Sequence, residues 1–438
     1  MTIKEQIGVE IPEILLPVGG IDLAKWAVIA CDQFTSQPEY WQQVADQVGE
    51  SPSTLHMILP EVWLEDEGLD KRIQHTQDAM RAYLAEGVFK AFKGLVLVER
   101  TIGNRTRQGL MIALDLEAYD YNKGSQTLIR ATEGTILERI PPRIRIRKDA
   151  PLELPHILVL YDDPQYTVMS NLLAQKENLP ICYDFELMMG SGHLIGRLVE
   201  DPAMIEQVLS ALAGLADPQA FEDKYHLPAN QRPLLFAMGD GNHSLATAKA
   251  IWEEIKPQVG MQHPARYALV EIENLHDPAL EFEPIHRLLF NLPGNIKEAL
   301  QAWFGKRIIF NKIDDLDELL HEIDSMASLH HHFALITTDG FEHIEIKQPD
   351  CNLPVGSLQA FLDAYLKENR QVKIDYVHGS DVLKRLGTQP GNAGFYLPAM
   401  DKKELFKTVI LDGALPRKTF SMGAAHEKRF YMECRKIR

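Results

Sequence analysis

The sequence predicts an α+β fold built from mixed, largely antiparallel sheets with helices, and three observations carry that prediction. Apolar runs of strand length alternate with helical patterns along the whole chain instead of forming separate blocks. Two pairs of such runs meet at short glycine turns, as antiparallel hairpins do. A strand, a glycine-rich loop and an amphipathic helix follow one another over residues 233–256.

Taken in order, the apolar run Trp26–Cys31 reads as a short buried strand that delivers Asp32 at its end. Helical spacing of apolar residues predicts helices near 37–48, 70–86, 166–177, 201–214, 244–256 and 295–304. Leu95–Glu99 and Leu110–Leu114 flank Gly103-Asn104 as one hairpin, and Ile181–Met188 and Leu194–Val199 flank Gly190-Ser191-Gly192 as another. Further strands fit 156–161, 233–238 and 266–272. From 291 to 350 the order is helix, strand Arg307–Phe310, helix Asp315–Met326, then strands Phe333–Thr337 and His343–Ile346 joined at Asp339-Gly340. This pattern predicts a main domain over 1–290, a smaller α/β subdomain over 291–350 with the pattern of an insertion, and a C-terminal segment, 351–438, packing back on the main domain.

Composition narrows the function classes. The chain has 438 residues, 45% hydrophobic and 24% charged, enough for one large core or several smaller ones. No apolar stretch approaches the roughly eighteen residues of a membrane span, and Met1–Gln6 lacks a signal-peptide core, which points to the cytoplasm and to no membrane partner. Cys31, Cys182, Cys351 and Cys434 show no Cys-x-x-Cys spacing, against a disulfide framework or zinc ribbon. A net charge of −17 opposes binding to nucleic acid.

Against that charge stands a basic stretch, Arg130, Arg139, Arg143, Arg145, Arg147 and Lys148, with only Glu133 and Glu138 between. Alternation of Arg143, Arg145 and Arg147 with Ile144 and Ile146 predicts a strand with all three guanidiniums on one face. Such a face is either solvated and ion-paired or a small well of positive potential for an anion.

The loop Gly239-Asp240-Gly241-Asn242-His243-Ser244 is the most informative stretch. It lacks the third glycine of a dinucleotide fingerprint and the Gly-Lys-Ser/Thr of a Walker loop. Its glycines allow close backbone approach, and Asn242 or Ser244 can cap the following helix, whose positive end then faces an anion. Pro257 is expected to end that helix. The plain alternative is a tight turn with a capping side chain; Asp240 and His243, a carboxylate and an imidazole on one loop, favour function.

Gly-Asp-Gly-Asn-His-Ser-Leu-Ala-Thr-Ala resembles the signature of the domain of unknown function 1015 family, Asp-Gly-His/Asn-His-Arg-x-x-x-Ala. Cys31-Asp32-Gln33-Phe34, Glu133-Gly134-Thr135, Pro284-Ile285-His286-Arg287 and Lys418-Thr419-Phe420 match it too, so the resemblance spans nearly the whole chain. The signature in turn looks like the phosphate-binding loop of the ParB and sulfiredoxin superfamily, which includes nucleotide-dependent kinases of free serine. Ser244 stands where the family has Arg, replacing a charged bidentate donor by one hydroxyl. Thr132 stands where the family has His before Glu133.

The resemblance implies a nucleotide-dependent phosphotransferase, a kinase of a small hydroxylated metabolite using ATP or ADP and Mg²⁺. Gly239, Asp240, Gly241, Asn242, His243, Ser244, Arg143, Arg145 and His286 would hold phosphates, and Asp240 the metal. Asp32, Glu133 and His243 would be catalytic. Two alternatives stand beside it: a sensor that binds a nucleotide or phosphometabolite without turnover, and an interaction scaffold with no small ligand. Of the run His330-His331-His332, only His330 and His332 could share a metal, because neighbours on a strand face opposite ways.

Overall fold

Period-two alternation in the two longest strand runs places Leu95, Leu97, Leu110 and Ile112 on one face of a sheet and Val96, Val98 and Met111 on the other, all buried. In the computed structural model, which describes residues 2–134, 140–326 and 328–438, this hairpin, Leu95–Ile102 with Arg105–Asp115, is the centre of a mixed ten-stranded sheet. On one side lie His193–Val199 and Ile181–Glu186, the second expected hairpin. On the other lie Tyr267–Asn274, Leu158–Tyr161, Phe236–Asp240, Ile129–Arg130 and Tyr119–Asp120. Most pairs are antiparallel; Leu158–Tyr161 runs parallel to Tyr267–Asn274, and Ile129–Arg130 parallel to both its neighbours. The α+β expectation holds.

Both sheet faces are covered. Helix Asn242–Val259 buries Leu245, Ala248 and Trp252 on one, while Trp26, Val28, Phe430 and Tyr431 lie in the core on the other. At about 25 cal/mol per Å² of apolar surface, each such side chain contributes about 1.5–3 kcal/mol. That second core explains the end of the chain. Phe430–Tyr431 pairs antiparallel with Val28–Ile29, Arg435–Lys436 pairs with Leu152–Glu153, and the Trp26 indole N–H donates to the Met432 carbonyl at 3.0 Å.

The chain divides into two units, Met1–Leu280 with Gly423–Arg438, and Glu281–Met422. This differs from the expected partition. The strands of 291–350 do not stand alone: Ile308–Ile313, Gly340–Ile346 and His331–Thr337 continue through Ala393–Tyr396 and His286–Phe290 to Lys373–Val377 in one antiparallel six-stranded sheet. Strand pairing across long sequence separations joins them, and local patterning does not reveal it. Only the last residues of the C-terminal segment belong to the first unit.

Four local expectations change as well. The region 166–177 holds a short helix, Ser170–Ala174, and a 3-10 turn, Lys176–Asn178. Trp26 closes the helix Leu23–Trp26, leaving only Val28–Ile29 as strand. The helix from Asn242 passes through Pro257 and ends at Gly260 (φ 76°). Residues 140–147 form a helix rather than a strand, with Pro141 and Pro142 in its first turn, where a missing N–H costs nothing. The expected Thr135, Glu138 and Arg139 positions lie outside the described residues. In the second unit His332 Nδ1 lies 3.0 Å from His343 Nε2 and His330 pairs with Glu345 at 2.5 Å, and the described residues hold no group of three metal-type side chains.

Candidate functional site

The strand Phe236–Asp240 runs straight into the helix Asn242–Val259 through one residue, Gly241, at φ 80°. An added Cβ there would lie 3.1 Å from the Ile157 backbone, so the turn needs glycine twice over, for its angle and for its closeness to the neighbouring strand. Gly241 is also the N-cap, with no side-chain cap; neither Asn242 nor Ser244 serves, because both already lie within the helix. Ser244 is thereby released to face sideways. Its Oγ lies 3.0 Å from Nε2 of His156, a residue just ahead of the paired strand Leu158–Tyr161.

His156 is buried and held at its other nitrogen. The Tyr431 hydroxyl lies 2.9 Å from Nδ1, and also accepts the Cys31 backbone N–H at 3.2 Å. Tyr431 reaches this point because its strand pairs with Val28–Ile29, the strand that ends at Cys31 and Asp32. Asp32 accepts from the Gln33 side chain at 3.0 Å and has Oδ2 3.9 Å from His156 Nε2. Burial keeps the Tyr431 phenol far above its usual range, so it remains a hydroxyl.

Cys31, Glu61, Arg143, His156, Ser244 and Tyr431 line one cleft of about 140 Å³. Glu61 is fixed by its backbone N–H to the Cys31 carbonyl at 2.8 Å and forms an ion pair with Arg143. Burial raises the Glu61 carboxyl, and Arg143 opposes that rise without cancelling it. Cys31 is not a reactive thiol: burial, then the carboxylates of Asp32 and Glu61, push it well above the ordinary range. Iodoacetamide at pH 8 is accordingly expected to alkylate Cys31 in the native protein far more slowly than in urea. Equal rates in a peptide-resolved mass measurement would contradict that environment.

The expected residues are sorted by the helix geometry. Arg143 and Arg147, four apart, share the cleft side, where Arg147 pairs with Glu153 at 2.5 Å. Arg145 faces outward to Asp70 on the surface, so the predicted common face of Arg143 and Arg145 does not exist. Asp240 is half-buried; Oδ1 accepts the Gly241 N–H at 2.8 Å and Oδ2 pairs with Lys428 at 3.1 Å. Burial would raise this carboxyl, but Lys428 outweighs it and holds it below the ordinary range. Glu133 follows Thr132, whose hydroxyl donates to the Met238 carbonyl at 2.8 Å, so it lies beside the strand that leads into the loop. His243 lies on the first helical turn, and its carbonyl accepts the Thr247 hydroxyl at 2.7 Å. His286 belongs to the second unit, buried, stacked on Tyr396 and accepting the Leu397 N–H at 3.2 Å. That sheet position accounts for its ring without any ligand.

His156, Tyr431, Glu61 and Lys428 were not among the expected residues. No motif marks them: Tyr431 arrives by strand pairing, Glu61 by its ion pair with Arg143, His156 ahead of a sheet strand, and Lys428 by its ion pair with Asp240. A magnesium site does not emerge from the donor set: the Asp240 oxygens are already engaged, and no group of three His, Cys, Asp or Glu side chains is set for a metal among the described residues.

A family described as protein of unknown function (DUF1015) matches residues 15–365. The chain belongs to the DUF1015 family. This DUF1015 chain has no match among curated proteins. Among solved structures it is similar to a conserved hypothetical protein from Pyrococcus furiosus, at 10% identity and TM-score 0.36, covering 72% of this chain and 90% of that one. A free serine kinase in complex with AMP is similar at 9% identity and TM-score 0.38, with 73% and 90% covered. SbnI from Staphylococcus aureus, truncated at its C-terminus, is similar at 10% identity and TM-score 0.30, with 64% and 85% covered. None of the DUF1015 chain's described helices is long and apolar enough to cross a membrane.

Proposed function

We propose that the first unit is a small-molecule phosphotransferase that holds the phosphates of ATP or ADP at the first turn of Asn242–Val259 and serves a hydroxylated substrate. One observation carries this reading: the N-terminal turn of an 18-residue helix contributes Ser244 to the cleft lining, with its hydroxyl coupled to His156. A helix start favours negative charge by its free N–H groups and its dipole. Arg143 and Arg147 at the wall, paired with Glu61 and Glu153, supply guanidinium donors where the family's usual arginine is replaced by Ser244. Asp32, beside His156, is the carboxylate best set to accept the proton of an incoming hydroxyl. Glu133, beside the strand that leads into the loop, and His243, on the first helical turn, complete the set proposed for phosphate and proton handling.

A second reading is a sensor in this same cleft. It is favoured by Ser244 in place of arginine and by the Asp240 carboxylate, whose oxygens are engaged by Gly241 and Lys428. Thermal unfolding with ATP, ADP, AMP or phosphate, with and without magnesium, tests both. Ligand at about a hundred times its dissociation constant adds about 2.7 kcal/mol of stability. Asp240→Ala, which removes the ion pair with Lys428 and the hydrogen bond to Gly241 N–H, is expected to weaken binding by more than tenfold. Nucleotide consumed only with an acceptor supports the transferase, and binding without consumption the sensor. No stabilisation by any of these compounds removes both and leaves a scaffold.

A further inference from the structure

We infer that Ser244 is a nucleophile in its own right, activated by His156 and positioned through Tyr431, and that it takes up a phosphoryl group as a covalent ester. The inference rests on the phosphate-cleft reading only for the class of donor; the nucleophile itself stands on geometry. A hydroxyl becomes reactive when a base lies within hydrogen-bond reach and a third group orients that base. Here the three are Ser244 Oγ, His156 Nε2 at 3.0 Å and Tyr431, whose hydroxyl lies 2.9 Å from Nδ1.

The direction of the protons follows from the partners. The Tyr431 oxygen already accepts the Cys31 backbone N–H at 3.2 Å, which sets it as an acceptor at this point. With the Tyr431 oxygen also accepting from His156 Nδ1–H, the Nε2 lone pair faces the Ser244 proton. The ring edge meets Tyr431 at 84°, which fixes the imidazole plane. Once it has taken the proton, the imidazolium faces Asp32 Oδ2 at 3.9 Å. The ester would occupy the third residue of the helix, where added negative charge is favoured.

In the step proposed, Ser244 Oγ attacks the terminal phosphorus of a phosphoric anhydride. The new O–P bond forms as the bond from phosphorus to the bridging oxygen breaks, and the leaving group departs with that electron pair. The serine proton passes to His156 Nε2. A second hydroxyl then attacks the phosphorus: its O–P bond forms as the Ser244 Oγ–P bond breaks, Ser244 Oγ takes back the proton from His156, and the hydroxyl's own proton passes to Asp32, so the transfer has a covalent intermediate.

Diisopropyl fluorophosphate tests this without any nucleotide site, because the same attack breaks P–F and releases fluoride. The whole protein is expected to gain one diisopropyl phosphoryl group, mapped by peptide mass to Ser244. Ser244→Ala should abolish it, and His156→Gln should slow it at least a hundredfold. Tyr431→Phe, a positioning change, should slow it more than tenfold and alter the pH profile of the rate, which a purely structural role would not move. No labelling of the folded wild type, or equal rates in wild type and His156→Gln, overturns the inference. Labelling with no stabilisation by any nucleotide or phosphate sinks the phosphate reading alone, and stabilisation without labelling sinks the covalent role alone.

Discussion

Arg429→Met is expected to destabilise the first unit by about 3–5 kcal/mol, because it strands two carboxylates in the core. Arg429 is buried, with Nε 2.9 Å from Glu271 Oε2 and Nη2 2.7 Å from Glu433 Oε2. Glu271 lies on a central strand and Glu433 near the end of the chain, so the one guanidinium clamps the returning C-terminal residues to the sheet. Burial disfavours its charge, yet Glu433 and Glu271 more than compensate and raise it above the ordinary arginine range. Glu433 is fully buried and also accepts the Tyr183 hydroxyl at 2.5 Å, so it has no solvent to turn to when the cation goes. Arg429→Lys keeps the charge without the fork and should fall between. Urea unfolding read by Trp26, Trp41, Trp63 and Trp252, all in this unit, measures the loss. A loss below about 1 kcal/mol would mean the carboxylates relax into solvent. The same residues carry Tyr431 and Lys428, so partial detachment should weaken the cleft before the sheet unfolds.

The second unit is expected to lose stability as pH falls from 7 to 5. Burial, with Arg287 and His378 adding to it, depresses His286 to about 4, and burial likewise depresses His331 to about 4. Both are neutral when folded, and His286 uses Nδ1 as an acceptor from Leu397 N–H. The sign follows from linkage. The unfolded imidazoles take protons near their ordinary value of about 6.5 while the folded ones do not, so the stabilisation is complete above that value. It is lost progressively as pH drops through the window down to about 4. At pH 5 the cost is about 2 kcal/mol for each imidazole. Hydrogen exchange in the full chain, read on peptides covering His331–Thr337 and Ala393–Tyr396, should accelerate relative to intrinsic rates, and less so in His286→Gln. Unchanged protection between pH 7 and 5 would show that these rings accept protons in place.

Much of this was legible in the residue pattern. Both hairpins were readable because alternation and glycine turns act between near neighbours, and the Phe236–Asp240 to Asn242–Val259 succession was readable because helical spacing of Leu245, Ala248 and Trp252 is local. The loop carrying Asp240, His243 and Ser244 was found for the same reason. The basic stretch misled, because a period of two over Arg143, Arg145 and Arg147 also satisfies a helix opened by Pro141-Pro142, and only its packing on Asn242–Val259 separates the two. What Ser244 faces could not be read at all.

Composition, charge, the hairpins and the loop that belongs to this family were set by the sequence itself, since each depends on residues close together along the chain. Tertiary structure alone decided that His156, Tyr431 and Asp32 converge on Ser244, and that six strands drawn from Glu281–Met422 make one sheet. Those placements depend on strand pairs such as Val28–Ile29 with Phe430–Tyr431, whose register is fixed by burying both faces of a sheet between distant segments.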